Sequence, residues 1–275
     1  MKELYIIGNG FDLRHGLPTK YENFKDWLNT NSPMTSYSLE TMFNNNGDLW
    51  SNFEEALGCY NPEEAINGFF DPIIMERLYP QGSEVVSLIH SLSYDEICSL
   101  FCGWIRSINI EGVGSLIKFS SDALFLTFNY TKVLEEIYRI PETRICHIHG
   151  YADDPDSIIF GHNNWIDISR IIGSPKGSRE WICQSNRLFE LNLLYKDTQT
   201  IISNTMFFNL LENLDVIYVL GHSLNSVDAL YFQTIIHQNP EAKWIIDYNP
   251  RYPEEEHQKI TTLTKWGVTV VTSLN

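Results

Sequence analysis

Val216-Ile217-Tyr218-Val219-Leu220, followed at once by Gly221-His222-Ser223-Leu224, is the stretch whose reading sets the fold. Five apolar residues in unbroken succession, closed by a glycine, form a strand covered on both faces, as strands of parallel sheets are. The same pattern opens the chain, where Leu4-Tyr5-Ile6-Ile7 runs into Gly8-Asn9-Gly10. Further strands are predicted over residues 123–127, 144–148, 157–160, 243–247 and 268–271. Helices are predicted over 21–28, 132–138, 180–195, 200–211, 228–237 and 254–263. Strand and helix in alternation predict an α/β fold, a Rossmann-like parallel sheet with helices on both faces.

The region from about 30 to 115 has a different texture, rich in Asn, Ser, Glu and aromatic residues. Helical spacing recurs over 50–57, 85–92 and 96–105, and Pro62, Pro72 and Pro80 interrupt it. We read 1–275 as a single domain carrying this helical insertion. The length of 275 residues suits that organisation.

Composition excludes several classes. Hydrophobic residues make up 43% and charged residues 20%, which rules out a disordered or fibrous chain. With 35 acidic and 19 basic side chains, the net charge is −16. That field repels nucleic acid and anionic membranes alike, so bulk nucleic-acid binding and membrane association are not expected. The start lacks a signal-peptide pattern, and no apolar run approaches the length of a bilayer span. Five scattered cysteines without a CxxC pair read as reduced thiols, so a cytoplasmic location is expected.

Ligands of open α/β sheets bind at the carboxyl ends of the strands. Four such places carry polar residues: 8–12, 127–131, 146–150, and 221–224 with Asp228 beyond. Gly8-Asn9-Gly10 allows close backbone approach to a phosphate. Leu13 stands where the dinucleotide fingerprint has its third glycine, and a tight turn with Asp12 as a helix cap is the alternative. Asn129 reads either as a cap or as a group that holds a sugar hydroxyl or a water. His147 and His149, two apart, are expected on one strand face. His149 before Gly150 suits a general base, whereas Cys146, His147, His149, His162, Asp153 and Asp154 offer a metal alternative that lacks zinc-site spacing. No metal is expected. Gly221-His222-Ser223-Leu224 lacks the final glycine of a nucleophile elbow. It suits ribose or phosphate contact better, with Asp228 as a cap or a ribose acceptor. Cys98 and Cys102, four apart, read as a buried pair on a helix.

Together, Gly8-Asn9-Gly10-Phe11-Asp12 with His15-Gly16-Leu17-Pro18, Thr127-Phe128-Asn129-Tyr130-Thr131, His147-Ile148-His149-Gly150, Phe160-Gly161-His162-Asn163, and Gly221-His222-Ser223-Leu224 with Asp228 and Tyr231-Phe232 resemble the bacteriophage abortive-infection family AbiH. More distantly, the glycine loop with Gly16-Leu17-Pro18, Thr127-x-Asn129, His149-Gly150 and Gly221-x-Ser223-Leu224 are similar, in order, to sirtuin-like NAD-binding domains. The second resemblance implies NAD as ligand or substrate. It implies Asn129 and His149 as the catalytic pair at the nicotinamide ribose. It also implies binding by Gly8, Asn9, Gly10, Phe11, Asp12, Thr127, Gly221, His222, Ser223 and Asp228. The four-cysteine zinc module of deacylase sirtuins is missing from the sequence, so peptide deacylation is not expected.

The expected function is therefore an anti-phage effector that binds NAD or a related nucleotide and hydrolyses its N-glycosidic bond. The alternatives are a metal-dependent nuclease and a non-enzymatic sensor of a nucleotide or phage protein. A phage trigger protein and a homo-oligomer are the macromolecular partners left open.

Overall fold

A computed structural model describes residues 1–43, 49–60, 93–167, 169 and 175–274. The helical spacing read over 85–92, and Pro62, Pro72 and Pro80, lie outside the described residues. The chain divides into two compact units. One comprises Met1–Lys20, Ile105–Ile158 and Asp197–Asn275; the other comprises Tyr21–Trp104 and Ile159–Lys196.

The first unit is built on a six-stranded sheet: β1 (Glu3–Ile7), β2 (Leu124–Thr127), β3 (Ile145–His147), β4 (Val216–Leu220), β5 (Lys243–Ile246) and β6 (Val271–Ser273). The order across the sheet is β3-β2-β1-β4-β5-β6, and every pairing is parallel. This is the order of doubly wound nucleotide-binding sheets, with which a Rossmann-like winding is compatible. Alternate residues of each strand supply opposite faces. Leu4, Ile6, Leu126, Ile217, Val219, Trp244 and Ile246 pack one core with Tyr231, Phe232 and Ile235 of helix Ala229–Gln238 and Leu263 of helix Glu254–Lys265. Tyr5, Ile7, Phe125 and Leu220 pack the other with Phe11 of helix Asn9–Arg14 and with Val133 and Leu134 of helix Val133–Glu136. Burying each such side chain contributes about 1.5–3 kcal/mol, which is why these strands read as continuous apolar runs.

Three expectations need correction. Residues 157–160 form no strand: Pro155–Ser157 is a 3-10 turn in which the Ser157 N–H donates to the Asp154 carbonyl instead of a neighbouring strand. The helix expected over 200–211 is two pieces, Thr198–Asn204 and the 3-10 turn Met206–Leu210. Thr205 breaks it by adopting extended backbone, with its hydroxyl bonded to the Ile201 carbonyl. The last strand starts at Val271 rather than at 268, because the Val268 N–H is used by the Leu263 carbonyl at the preceding helix end.

The second unit is helical where it is described, with Tyr21–Asn31, Pro33–Phe43, Phe53–Leu57, most of Tyr94–Ser107, and Arg179–Leu193. Its core is aromatic. Phe24 packs on Trp104, Phe101 and Phe53, and Phe101 stacks on Phe160 with ring centres 4.4 Å apart. Cys102 is buried on the same helix as partly buried Cys98, and burial pushes the Cys98 thiol up to about 11. No helix among the described residues is long and apolar enough to cross a membrane.

Candidate functional site

From β1 the chain steps to β2 and β3 on one side, then returns to β4 on the other side of β1. The winding therefore reverses between β1 and β4, where doubly wound sheets open a ligand crevice beyond the strand ends. The loops after these two strands are joined backbone to backbone. The Gly8 N–H donates to the Leu220 carbonyl (2.9 Å), the Gly10 N–H to the Gly221 carbonyl (2.8 Å), and the Phe11 N–H to the Gly8 carbonyl (2.9 Å). A Cβ on Gly10 would stand 2.8 Å from the Gly221 Cα, and one on Gly221 would stand 2.0 Å from the Phe11 nitrogen. Gly221 also has φ of +69°. The glycines are thus required by loop-to-loop contact, a cause the sequence pattern did not separate from phosphate binding. Phe11 is a core residue, whereas Asn9 is exposed and donates from Nδ2 to the Thr19 carbonyl (2.7 Å).

Asp12 is 1% exposed and caps nothing. Its Oδ1 accepts from Asn129 Nδ2 (2.8 Å) and its Oδ2 from the Thr131 hydroxyl (2.6 Å). Burial pushes its carboxyl up to about 6, against the downward pull of Thr131, Asn129 and nearby His147. Asn129 Nδ2 also donates to the Gly8 carbonyl (3.2 Å), and its backbone N–H donates to the Thr127 hydroxyl (3.1 Å). The Thr127 and Thr131 hydroxyls hold Asn129 and Asp12; the next helix is entered at Lys132 with no side-chain cap. The amide of Asn129 is therefore fixed by its nitrogen, which leaves its carbonyl oxygen for a ligand or water.

His147 and His149 do not share a face, contrary to the strand-periodicity expectation. His147 ends β3, and the chain then turns, with the Gly150 N–H donating to the His147 carbonyl (3.0 Å). His147 sits between the Asn129 main-chain carbonyl (Nδ1, 3.1 Å) and Glu135 Oε1 (Nε2, 2.7 Å). Both ring nitrogens face oxygens, so the His147–Glu135 contact carries a proton between its partners. His149, 3% exposed, is turned towards Asp228, with Nε2 3.8 Å from Oδ1. Phe128 and Tyr130, which flank Asn129, both pack on the His149 ring.

Asp228 stands at the start of helix Ala229–Gln238 but makes no side-chain cap. Its Oδ2 lies 3.4 Å from Nε2 of buried His222. Ser223 is exposed beside it. The sequence reading missed Asp247, which follows β5. Its carboxylate accepts the Gly221 N–H (2.8 and 2.9 Å), pairs with Arg14 (2.5 Å) and lies 3.6 Å from Lys259. A lone aspartate after an apolar strand was the available signal.

Two other histidines are structural. His15 donates from Nδ1 to the Phe11 carbonyl (2.7 Å) and accepts at Nε2 from the Tyr138 hydroxyl (2.7 Å). His162, in the helical unit, donates from Nε2 to the Leu191 carbonyl (2.8 Å) and accepts the Asn164 N–H at Nδ1 (3.3 Å). Asp153 pairs with Lys132 at 3.0 Å. Among the described residues no group of three or more His, Cys, Asp or Glu is placed to hold a metal ion.

The first unit is thus a parallel α/β protein with histidines and carboxylates gathered at the carboxyl edge of its sheet. The family model described as "Bacteriophage abortive infection AbiH" matches residues 4–248, and the chain belongs to that family. The matched span holds every candidate residue from Gly8 to Asp247, and membership indicates a role in abortive infection of bacteriophage. No curated protein and no solved structure matches the chain.

Proposed function

We propose that this AbiH protein binds NAD or a related dinucleotide at the carboxyl edge of its sheet and hydrolyses the N-glycosidic bond, as the effector step of abortive infection. One observation carries the reading. Asn129 and buried His149 follow adjacent parallel strands, are packed together through Phe128 and Tyr130, and have Asp228 3.8 Å from His149 Nε2.

In this mechanism Asn129, its amide held by Asp12 and Gly8, presents its carbonyl oxygen to a water at the anomeric carbon. His149 takes a proton from that water as the new C–O bond forms. The C–N bond breaks, its electron pair passes to the pyridinium nitrogen, and nicotinamide leaves neutral. ADP-ribose and one proton are the other products. The leaving group is already good, so positioning and electrostatics supply most of the acceleration. Loops 8–12 and 221–224 form the wall for pyrophosphate and ribose, with the exposed Asn9 and Ser223 side chains offered to the ligand.

The test is incubation of purified protein with NAD and chromatographic analysis of products. Nicotinamide release is expected, and His149→Ala and Asn129→Ala each lower it by about 10²–10⁴-fold, the usual worth of an acid–base or positioning group. A draining enzyme would kill its host in the absence of phage, so NAD is also measured during infection of expressing cells. No nicotinamide under either condition, or undiminished release by His149→Ala, overturns the proposal. Retained ligand without product would identify a sensor instead.

A further inference from the structure

We propose that His222 is a positioning residue, which holds the Asp228 carboxylate against His149; this rests on the reading of His149 as the base. The sequence places His222 among the ligand contacts, but its ring is buried and both nitrogens are directed at the protein. The Leu224 N–H donates to Nδ1 (2.9 Å). Nδ1 is therefore an acceptor, and the proton of the neutral ring sits on Nε2. Nε2 lies 3.4 Å from Asp228 Oδ2, an ion-pair contact short of a hydrogen bond, while the other carboxylate oxygen lies 3.8 Å from His149 Nε2. One carboxylate thus spans two imidazoles, one oxygen to each.

The surrounding backbone is built to impose this tautomer. Leu224 has φ of +61°, a left-handed conformation that a leucine keeps only where its surroundings dictate it. Its side chain is buried in the core, and its N–H is the donor to His222. The His222 ring is also held by Phe128 (4.4 Å between centres) and Phe232 (4.9 Å). When His149 takes a proton, the new cation faces a carboxylate that is already aimed. Partners one step removed from the reacting group orient it in this way in metal sites and in catalytic triads.

The experiment is nitrogen-15 NMR of histidine-labelled protein, with kinetics of nicotinamide release on the same samples. In the wild type, His222 is expected as the Nε2–H tautomer. The protonation midpoint of His149 is expected to fall in Asp228→Asn and to fall also in His222→Phe, which keeps an aromatic ring but removes the donor. His222→Gln, whose amide can still donate, should stay near the wild type. In His222→Phe, kcat should drop about 10–100-fold with KM unchanged. An Nδ1–H tautomer in the wild type overturns the proposal. So does a His149 midpoint that Asp228→Asn moves and His222→Phe does not, or a raised KM with kcat kept, which marks direct ligand contact. If the wild type releases no nicotinamide, only the hydrolase reading falls, and the NMR readouts still decide the role of His222. If His222→Phe does not fold, the wild-type tautomer and His222→Gln decide it.

Discussion

His147 and His149 stand two residues apart and belong to different chemistry. His147 is fixed on both sides, by the Asn129 carbonyl and by Glu135, in a network that runs on through Asn129 to Asp12. His149 meets a carboxylate on a different element and lies among aromatic rings. One is a clamp that ties β3 to the loop after β2; the other is the group proposed above as the base. Residue type and spacing alone do not separate the two roles. The turn at Gly150, with φ of +72°, does.

The largest effect should come from that turn. A Cβ on Gly150 would lie 2.2 Å from the Ser157 carbonyl oxygen, on top of the positive φ. Gly150→Ala should cost about 4 kcal/mol, at the severe end for single substitutions. In whatever folds, the contact of His149 with Asp228 should be lost before that of His147 with Glu135. Denaturant melts followed by histidine NMR check both points, and an unperturbed His149 would break the comparison.

A smaller effect is expected at Asp12. Its carboxyl rises from 3.8 to about 6 on folding, so between these values the folded state binds more protons than the unfolded chain. Its contribution to stability is complete below about pH 4 and is lost as pH rises to 6, by roughly 3 kcal/mol. Asp12→Asn should remove this slope. The stability difference between wild type and variant, measured from pH 3.5 to 7, is the readout, and a flat difference would place Asp12 outside the proton-coupled network.

The smallest effect is at His147. Removing it strands Glu135 Oε1 in a contact where the two side chains are 10% and 15% exposed. His147→Ala should cost about 2 kcal/mol, below the range for fully buried pairs. It should leave the titration of His149 where it was. A shift there would show that the two histidines are one coupled group.

Much of the fold was legible because β1, β2 and β4 are buried on both faces and so are unbroken apolar runs. The strand after Pro155 was misread because Ile158 and Phe160 are apolar for packing, without any ladder partner. The helix Asn9–Arg14 was hidden by Gly8 at its N-cap and Gly10 in its first turn. At the site, the sequence picked out the loops and most of the polar residues but not their partners. That Asn129 holds Asp12, and that Asp228 lies near two histidines, depends on contacts between residues far apart in sequence, or on a turn that redirects one side chain. Asp247 was missed for the same reason, since its partners Arg14 and Gly221 come from the helix after β1 and the loop after β4.

The glycine contact between the loops after β1 and β4 has a consequence in time. Gly10 and Gly221 are joined by a direct hydrogen bond although about two hundred residues of chain separate them, and closures over such distances form late and slowly. A nascent chain that has released β1 but not yet β4 has no floor to its crevice, no Asp228 and no His222. The residues proposed above to act on the dinucleotide are in this way kept apart through most of the chain's synthesis.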